Sequence, residues 1–135
     1  MAEPVGFAAS IITLVDLTNK VFEYMNDAYR STKERDKIFH EVTGTQEVLR
    51  QLQAKANSDK WADTMKVLAT PQGPLYCLES SLKSLVRGLK PSDSRLETFG
   101  KAMIWPFEKR EYQYIVSSLE RSKSLLILAL QNDLL

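Results

Sequence analysis

Two side chains here combine reactivity with a near-neutral protonation range, the single His40 and the single Cys77. A thiol–imidazole nucleophile needs the two in contact, with oxyanion donors nearby. His40 falls within a helical pattern between Phe39 and Glu41, near the expected surface. Cys77 falls in a Leu-Tyr-Cys-Leu run and reads as a small buried hydrophobe. Packing therefore accounts for both better than catalysis does. Carboxylates pair as Glu34/Asp36 and Glu108/Glu111, each among bases, in Lys-Glu-Arg-Asp-Lys and Glu-Lys-Arg-Glu. Alternating signs of this kind describe a solvated helix face with weak ion pairs. A di-metal carboxylate bundle draws a Glu-x-x-His motif from each of two helices, which one histidine excludes. One Cys and one His also exclude an intrachain disulfide and a Cys/His zinc site. Neither G-x-x-x-x-G-K-S/T nor G-x-G-x-x-G occurs, so no phosphate-cradling loop is expected. No catalytic, cofactor or metal site is expected, and an enzyme has no supporting constellation.

Composition points the same way. The 135 residues are one domain's worth of chain, spanning 1–135, with 44% hydrophobic and 26% charged residues. That balance argues against disorder. Eighteen Lys and Arg meet seventeen Asp and Glu, a net charge of +1 that removes the usual case for nucleic acid. The charge is uneven, however. Ser80 to Lys123 holds nine bases and five acids. Lys83, Arg87, Lys90, Lys109 and Arg110 are the candidate contacts for anionic lipid headgroups. A plain solvated surface is the alternative, because the bases are interspersed with acids.

The elements that position these residues are helices. Proline stands at 4, 71, 74, 91 and 106, and no long periodic stretch contains one. A first helix is predicted from Pro4 to about Tyr29, with Phe7, Ile11, Leu14, Val21 and Met25 among its apolar positions. A second begins near Ser31 or Thr32 and reaches about Asn57. Ser31 and Glu34 have capping-box spacing there. Ile38, Val42, Thr45, Leu49, Leu52 and Ala56 form its stripe, with Thr45 as the weak polar position. The short loop between the two predicts an antiparallel hairpin. A third long helix starts at Pro74, carries Leu75, Leu78, Leu82, Leu85, Val86 and Leu89, and is ended by Gly88 and Pro91. A fourth runs from near Pro106 to about Asp133 on Tyr112, Ile115, Leu119, Leu126 and Leu130, widened by Val116, Leu125, Ile127 and Leu128. Short helices are predicted near 59–68 and 95–104. Trp61, Trp105, Phe99 and Phe107 read as core or loop-packing residues rather than membrane anchors. The fold class is all-α: a bundle of four main helices with one or two short extra ones.

The start of the chain is its least charged part. Only Glu3 precedes the apolar stretch, so the basic region of a secretory signal is missing. The twelve residues from Pro4 to Val15 carry no charge. As a helix they span about 18 Å, against about 30 Å of hydrocarbon, too short for a conventional membrane crossing.

Three segments stand out together: Ala-Glu-Pro-Val-Gly-Phe-Ala-Ala-Ser-Ile-Ile-Thr-Leu at 2–14, Pro-Gln-Gly-Pro-Leu-Tyr-Cys-Leu-Glu-Ser-Ser-Leu-Lys-Ser-Leu at 71–85, and Trp-Pro-Phe-Glu-Lys-Arg-Glu at 105–111 with the Leu119–Asp133 stretch. In combination they resemble the fungal HeLo-like N-terminal domain. The resemblance covers nearly the whole chain, in order. It implies a helical bundle related to HeLo cell-death domains and to the four-helix domain of the mixed lineage kinase-like pseudokinase. It also implies membrane targeting and permeabilisation under an attached sensor, as in fungal programmed cell death and heterokaryon incompatibility. The implied partners are further copies of the chain, anionic membrane lipids, and a C-terminal nucleotide-binding or repeat module or separate sensor. Cytoplasmic residence with recruitment to the plasma membrane follows. The implied first-helix element maps to Val5, Gly6, Phe7, Ile11, Ile12, Leu14 and Val15. No nucleotide-binding module or amyloid signalling motif is visible by Leu135, as in an excised domain or a short stand-alone relative.

Two functional expectations follow. In one, release and self-association expose the Pro4–Val15 segment for insertion. In the other, the same apolar helix is a core or dimer surface of a non-lytic interaction module.

Overall fold

Pro4 opens the first helix, where its missing N–H has no partner to lose. Four helices form among the described residues: α1 Pro4–Ala28, α2 Lys33–Lys55, α3 Pro74–Leu89 and α4 Lys109–Asn132. The computed structural model describes residues 4–29, 32–55, 68, 70, 72–90 and 105–132, and the side chains of these except 4–8, 27, 28 and 132. The all-α bundle of four main helices is therefore the architecture. The short helices expected near 59–68 and 95–104 fall largely outside the described residues; Leu68 is described, and is buried.

Helix boundaries follow local chemistry. Thr32 caps α2: the Arg35 amide donates to Thr32 Oγ1 at 3.1 Å. Ser31 lies outside the described residues. Gly73 precedes Pro74 in extended geometry, and Gln72 takes the left-handed φ of 64° that the tight turn demands. The last helix starts at Lys109 rather than near Pro106, because Trp105 and Phe107 are drawn into packing before it begins.

Each helix packs against two others. α1 meets α2 and α3, and α4 meets α2 and α3. The cross-contacts give the directions. Arg35 reaches the Met25 carbonyl while Gln46 reaches Thr18 and Asn19, so α1 and α2 are antiparallel, as the short loop predicted. Ser81 bonds Ser118 while Gly88 abuts Phe107, so α3 and α4 are antiparallel too. Lys37 and Glu41 on α2 meet Glu120 and Lys123 on α4, so these two run parallel. The bundle is two α-hairpins laid side by side, with α1 beside α3 and α2 beside α4.

The predicted stripes form the core. Ile11, Val21 and Met25 of α1, Ile38 and Leu49 of α2, Leu78 and Leu85 of α3, and Leu119 and Leu126 of α4 are buried. Each such side chain contributes about 1.5–3 kcal/mol relative to exposure. Thr45 fits the α2 stripe because its hydroxyl donates to the Glu41 carbonyl of its own helix at 2.8 Å. Val116 and Ile127 widen the α4 stripe as partly buried residues, but Leu125 and Leu128 do not. The two leucines are exposed, at 43% and 52%, because Ser122 and Leu126 take the inward positions.

One end of the bundle is sealed by aromatics. The Tyr29 hydroxyl donates to the Leu89 carbonyl at 2.9 Å. Trp105 stands edge-on to Tyr29 and Phe107, with centroids 5.8 and 5.2 Å apart, and its indole N–H donates to Glu34. Packing is thus the role of both Trp105 and Phe107, as expected; Trp61 and Phe99 lie outside the described residues. Gly88 does not end α3. It lies inside the helix, where an added Cβ would sit 2.5 Å from the Phe107 ring.

Candidate functional site

The expected reactive pair does not assemble. His40 is exposed on α2 and Cys77 is exposed on α3, helices that are not principal packing neighbours. Cys77 is not the buried hydrophobe its apolar neighbours implied. Leu75 and Leu78 turn inward, so Cys77 between them turns out, its thiol 3.6 Å from the Gln72 carbonyl. No group of three or more His, Cys, Asp or Glu side chains able to hold a metal occurs among the described residues.

The α1 candidates divide between core and surface. Ile11, Leu14 and Val15 are buried in the bundle, whereas Ile12 is 48% exposed. The side chains of Val5, Gly6 and Phe7 lie outside the described residues. No helix among the described residues is long and apolar enough to cross a membrane.

The basic candidates are all exposed. Lys83 sits mid-helix, 3.0 Å from Glu79. Arg87 and Lys90 lie at the C-terminal end of α3, and Lys109 and Arg110 open α4. Because these helices are antiparallel, all four flank the aromatic end. None makes an ion pair among the described residues. The start of α1 is at the opposite end: Ile11 lies about 27 Å along the helix from Tyr29, at about 1.5 Å per residue. The apolar segment and the basic cluster therefore lie toward opposite ends of the bundle.

Charges inside the bundle form a cluster that the stripes alone did not single out. Glu41 is buried, at 4% exposure, and lies between α2 and α4. Lys123 reaches it from α4 at 2.8 Å and Lys37 from its own helix at 3.3 Å. Lys37 also meets Glu120 at 3.3 Å. Burial pushes the Glu41 carboxyl up, but the hydrogen bonds from Lys123 and Lys37 outweigh it and hold it below the usual carboxylate range. The hydrogen bonds to Glu41 and Glu120 in turn raise Lys37. Gly44 leaves room for the Lys123 stem, whose Cδ lies 3.4 Å from where a Cβ would be. A signal for this cluster was present in the spacing: Glu41 sits three residues after Ile38 and four before Thr45, on the buried face.

Fold and surface together define an all-α four-helix domain with a charged clasp between its hairpins and a basic, aromatic-sealed end. Comparison with protein-family models, curated proteins and solved structures finds no match.

Proposed function

We propose that this chain is a signalling domain of the HeLo-like kind, the N-terminal effector of a fungal receptor-like protein. The closed bundle is its resting form, and self-association at a membrane follows release of α1. The observation that carries this reading is the uncharged first half of α1, whose Ile11, Leu14 and Val15 are core residues. Exposing them costs about 1.5–3 kcal/mol each, so release needs an external trigger such as an attached sensor. The basic end supports a docking role, with Arg87, Lys90, Lys109 and Arg110 free to meet anionic headgroups at about 1 kcal/mol each.

Dye leakage from phosphatidylserine vesicles tests the reading. Ile12→Asp is the informative variant, because Ile12 is exposed and its loss spares the core. Leakage by the wild-type chain once sub-denaturing urea loosens the bundle, abolished by Ile12→Asp, is the expected result. No leakage at any protein concentration, even with the bundle loosened by sub-denaturing urea, sinks the idea.

A non-lytic adaptor is the second reading, favoured by the exposed Tyr76, Tyr114, Leu125 and Leu128 on α3 and α4. Protein binding without vesicle leakage would favour it.

A further inference from the structure

Among the described residues, four of the five large hydrophobic side chains that are exposed lie on α3 and α4: Tyr76, Tyr114, Leu125 and Leu128. On α4 they follow a line. Tyr114, Arg121 and Leu128 recur every seven residues, and Leu125 stands one turn from both Arg121 and Leu128. Tyr76 approaches from α3 across a groove of about 320 Å³ that it lines together with Tyr114 and Arg121. Ser81 and Ser118, bonded to each other, draw the two helices together at the groove.

The charge of this face is one-sided. Arg121 lines the groove, and Arg87 continues the α3 edge marked by Ser80 and Ser84. Neither arginine has an ion pair among the described residues. The nearby acids are engaged: Glu79 holds Lys83 at 3.0 Å, and Glu111 accepts from the Glu108 amide. A second copy meeting this face symmetrically would bring like charges together. A lipid surface is flat, whereas this face is concave. A helix ridge with apolar side chains at three-and-four spacing and flanking carboxylates matches both the shape and the charge.

We propose that the α3–α4 groove is a docking site for an acidic amphipathic helix of a partner protein. Its apolar ridge lies between Tyr76 and Tyr114, and its carboxylates meet Arg121 and Arg87. This goes beyond the α1 reading and rests on the adaptor one; of its residues Arg87 alone also belongs to the basic end.

A labelled synthetic amphipathic peptide, with leucines at helical spacing and glutamates elsewhere, tests the proposal by fluorescence anisotropy on the full chain. A control peptide carries lysine for glutamate. The glutamate peptide should bind saturably and more weakly as salt rises, and the lysine peptide should not. Arg121→Glu and Tyr114→Ser should each weaken binding by about tenfold or more, with unchanged circular dichroism. Arg121→Ser carries the same test if the charge reversal unfolds the chain. Ile12→Asp should leave peptide binding intact, which separates this outcome from failure of the α1 reading. Equal binding of the two peptides, no binding, or indifference to the groove variants overturns the proposal. So does a stable dimer split by Tyr114→Ser, which would make a second copy the occupant. Vesicle binding lost in Arg121→Glu while the peptide is ignored would make lipid the occupant, and overturns it equally.

Discussion

The Lys123 ammonium lies 2.8 Å from the Glu41 carboxylate and ties α4 to α2 across the junction of the two hairpins. Glu41 is nearly out of water, so removing Lys123 leaves its carboxylate to Lys37 alone, and removing Glu41 takes the shared partner from two partly exposed ammonium groups. Glu41→Gln should destabilise the domain by about 1–3 kcal/mol, after allowance for the partial exposure of Lys123. Denaturant unfolding measures it. In a double-mutant cycle with Lys123→Met, the pair should lose less than the sum of the singles.

The same cluster gives stability a defined pH dependence. The folded Glu41 carboxyl is held below its unfolded value near 4.5. Its contribution is fully present above that value and is lost as pH falls through the lower folded one. Lys37 has the opposite sign: its contribution is present below 10.5 and lost as pH rises through its raised folded value. Thermal melts from neutral to strongly acidic pH should show a decline that is shallower in Glu41→Gln than in the wild type.

Gly88 is fixed by its neighbour rather than by helix ending. Gly88→Ala should lower stability by about 1–3 kcal/mol, because the new methyl meets the Phe107 ring within α3. Adding Phe107→Leu should recover part of that loss. Equal stability of Gly88→Ala and wild type would contradict the contact.

Adjacent residues of α1 should behave differently. Ile11 is fully buried and Ile12 is 48% exposed. Ile11→Ala should cost about 2–5 kcal/mol, and Ile12→Ala should stay within about 0.5 kcal/mol of wild type. Chemical denaturation of the two variants reads the difference directly. It also decides which α1 substitution can report on membrane action without unfolding the domain.

Charge reversal at the basic end gives a further test. Arg87→Glu with Lys90→Glu should weaken binding to phosphatidylserine vesicles and flatten its salt dependence, without changing the melting temperature. Co-sedimentation at two salt concentrations checks it. Undiminished binding would remove this end from any lipid contact.

Much of the bundle was legible from residue order. Proline spacing and the stripes through Ile38, Val42 and Leu49, or Leu78, Leu82 and Leu85, placed the four helices with small errors at their ends. The exceptions share a cause. Phe107 kept the last helix from starting near Pro106, and it set the role of Gly88, through partners distant in sequence. Leu125 and Leu128 looked like core because apolarity marks a residue as able to be buried, not as buried. Ser122 took an inward place instead.

Residue order by itself determined the helices and the absence of charge from Pro4 to Val15, because periodicity and propensity act within a single helix. Tertiary structure decided which faces meet. It buried Glu41 between two lysines, turned Cys77 outward, and opened the α3–α4 groove. It also put the apolar start of α1 and the basic cluster at opposite ends. That separation arises because α3 and α4 fold back as an antiparallel hairpin and α1 runs alongside α3, relations between helices that no single helix's pattern contains.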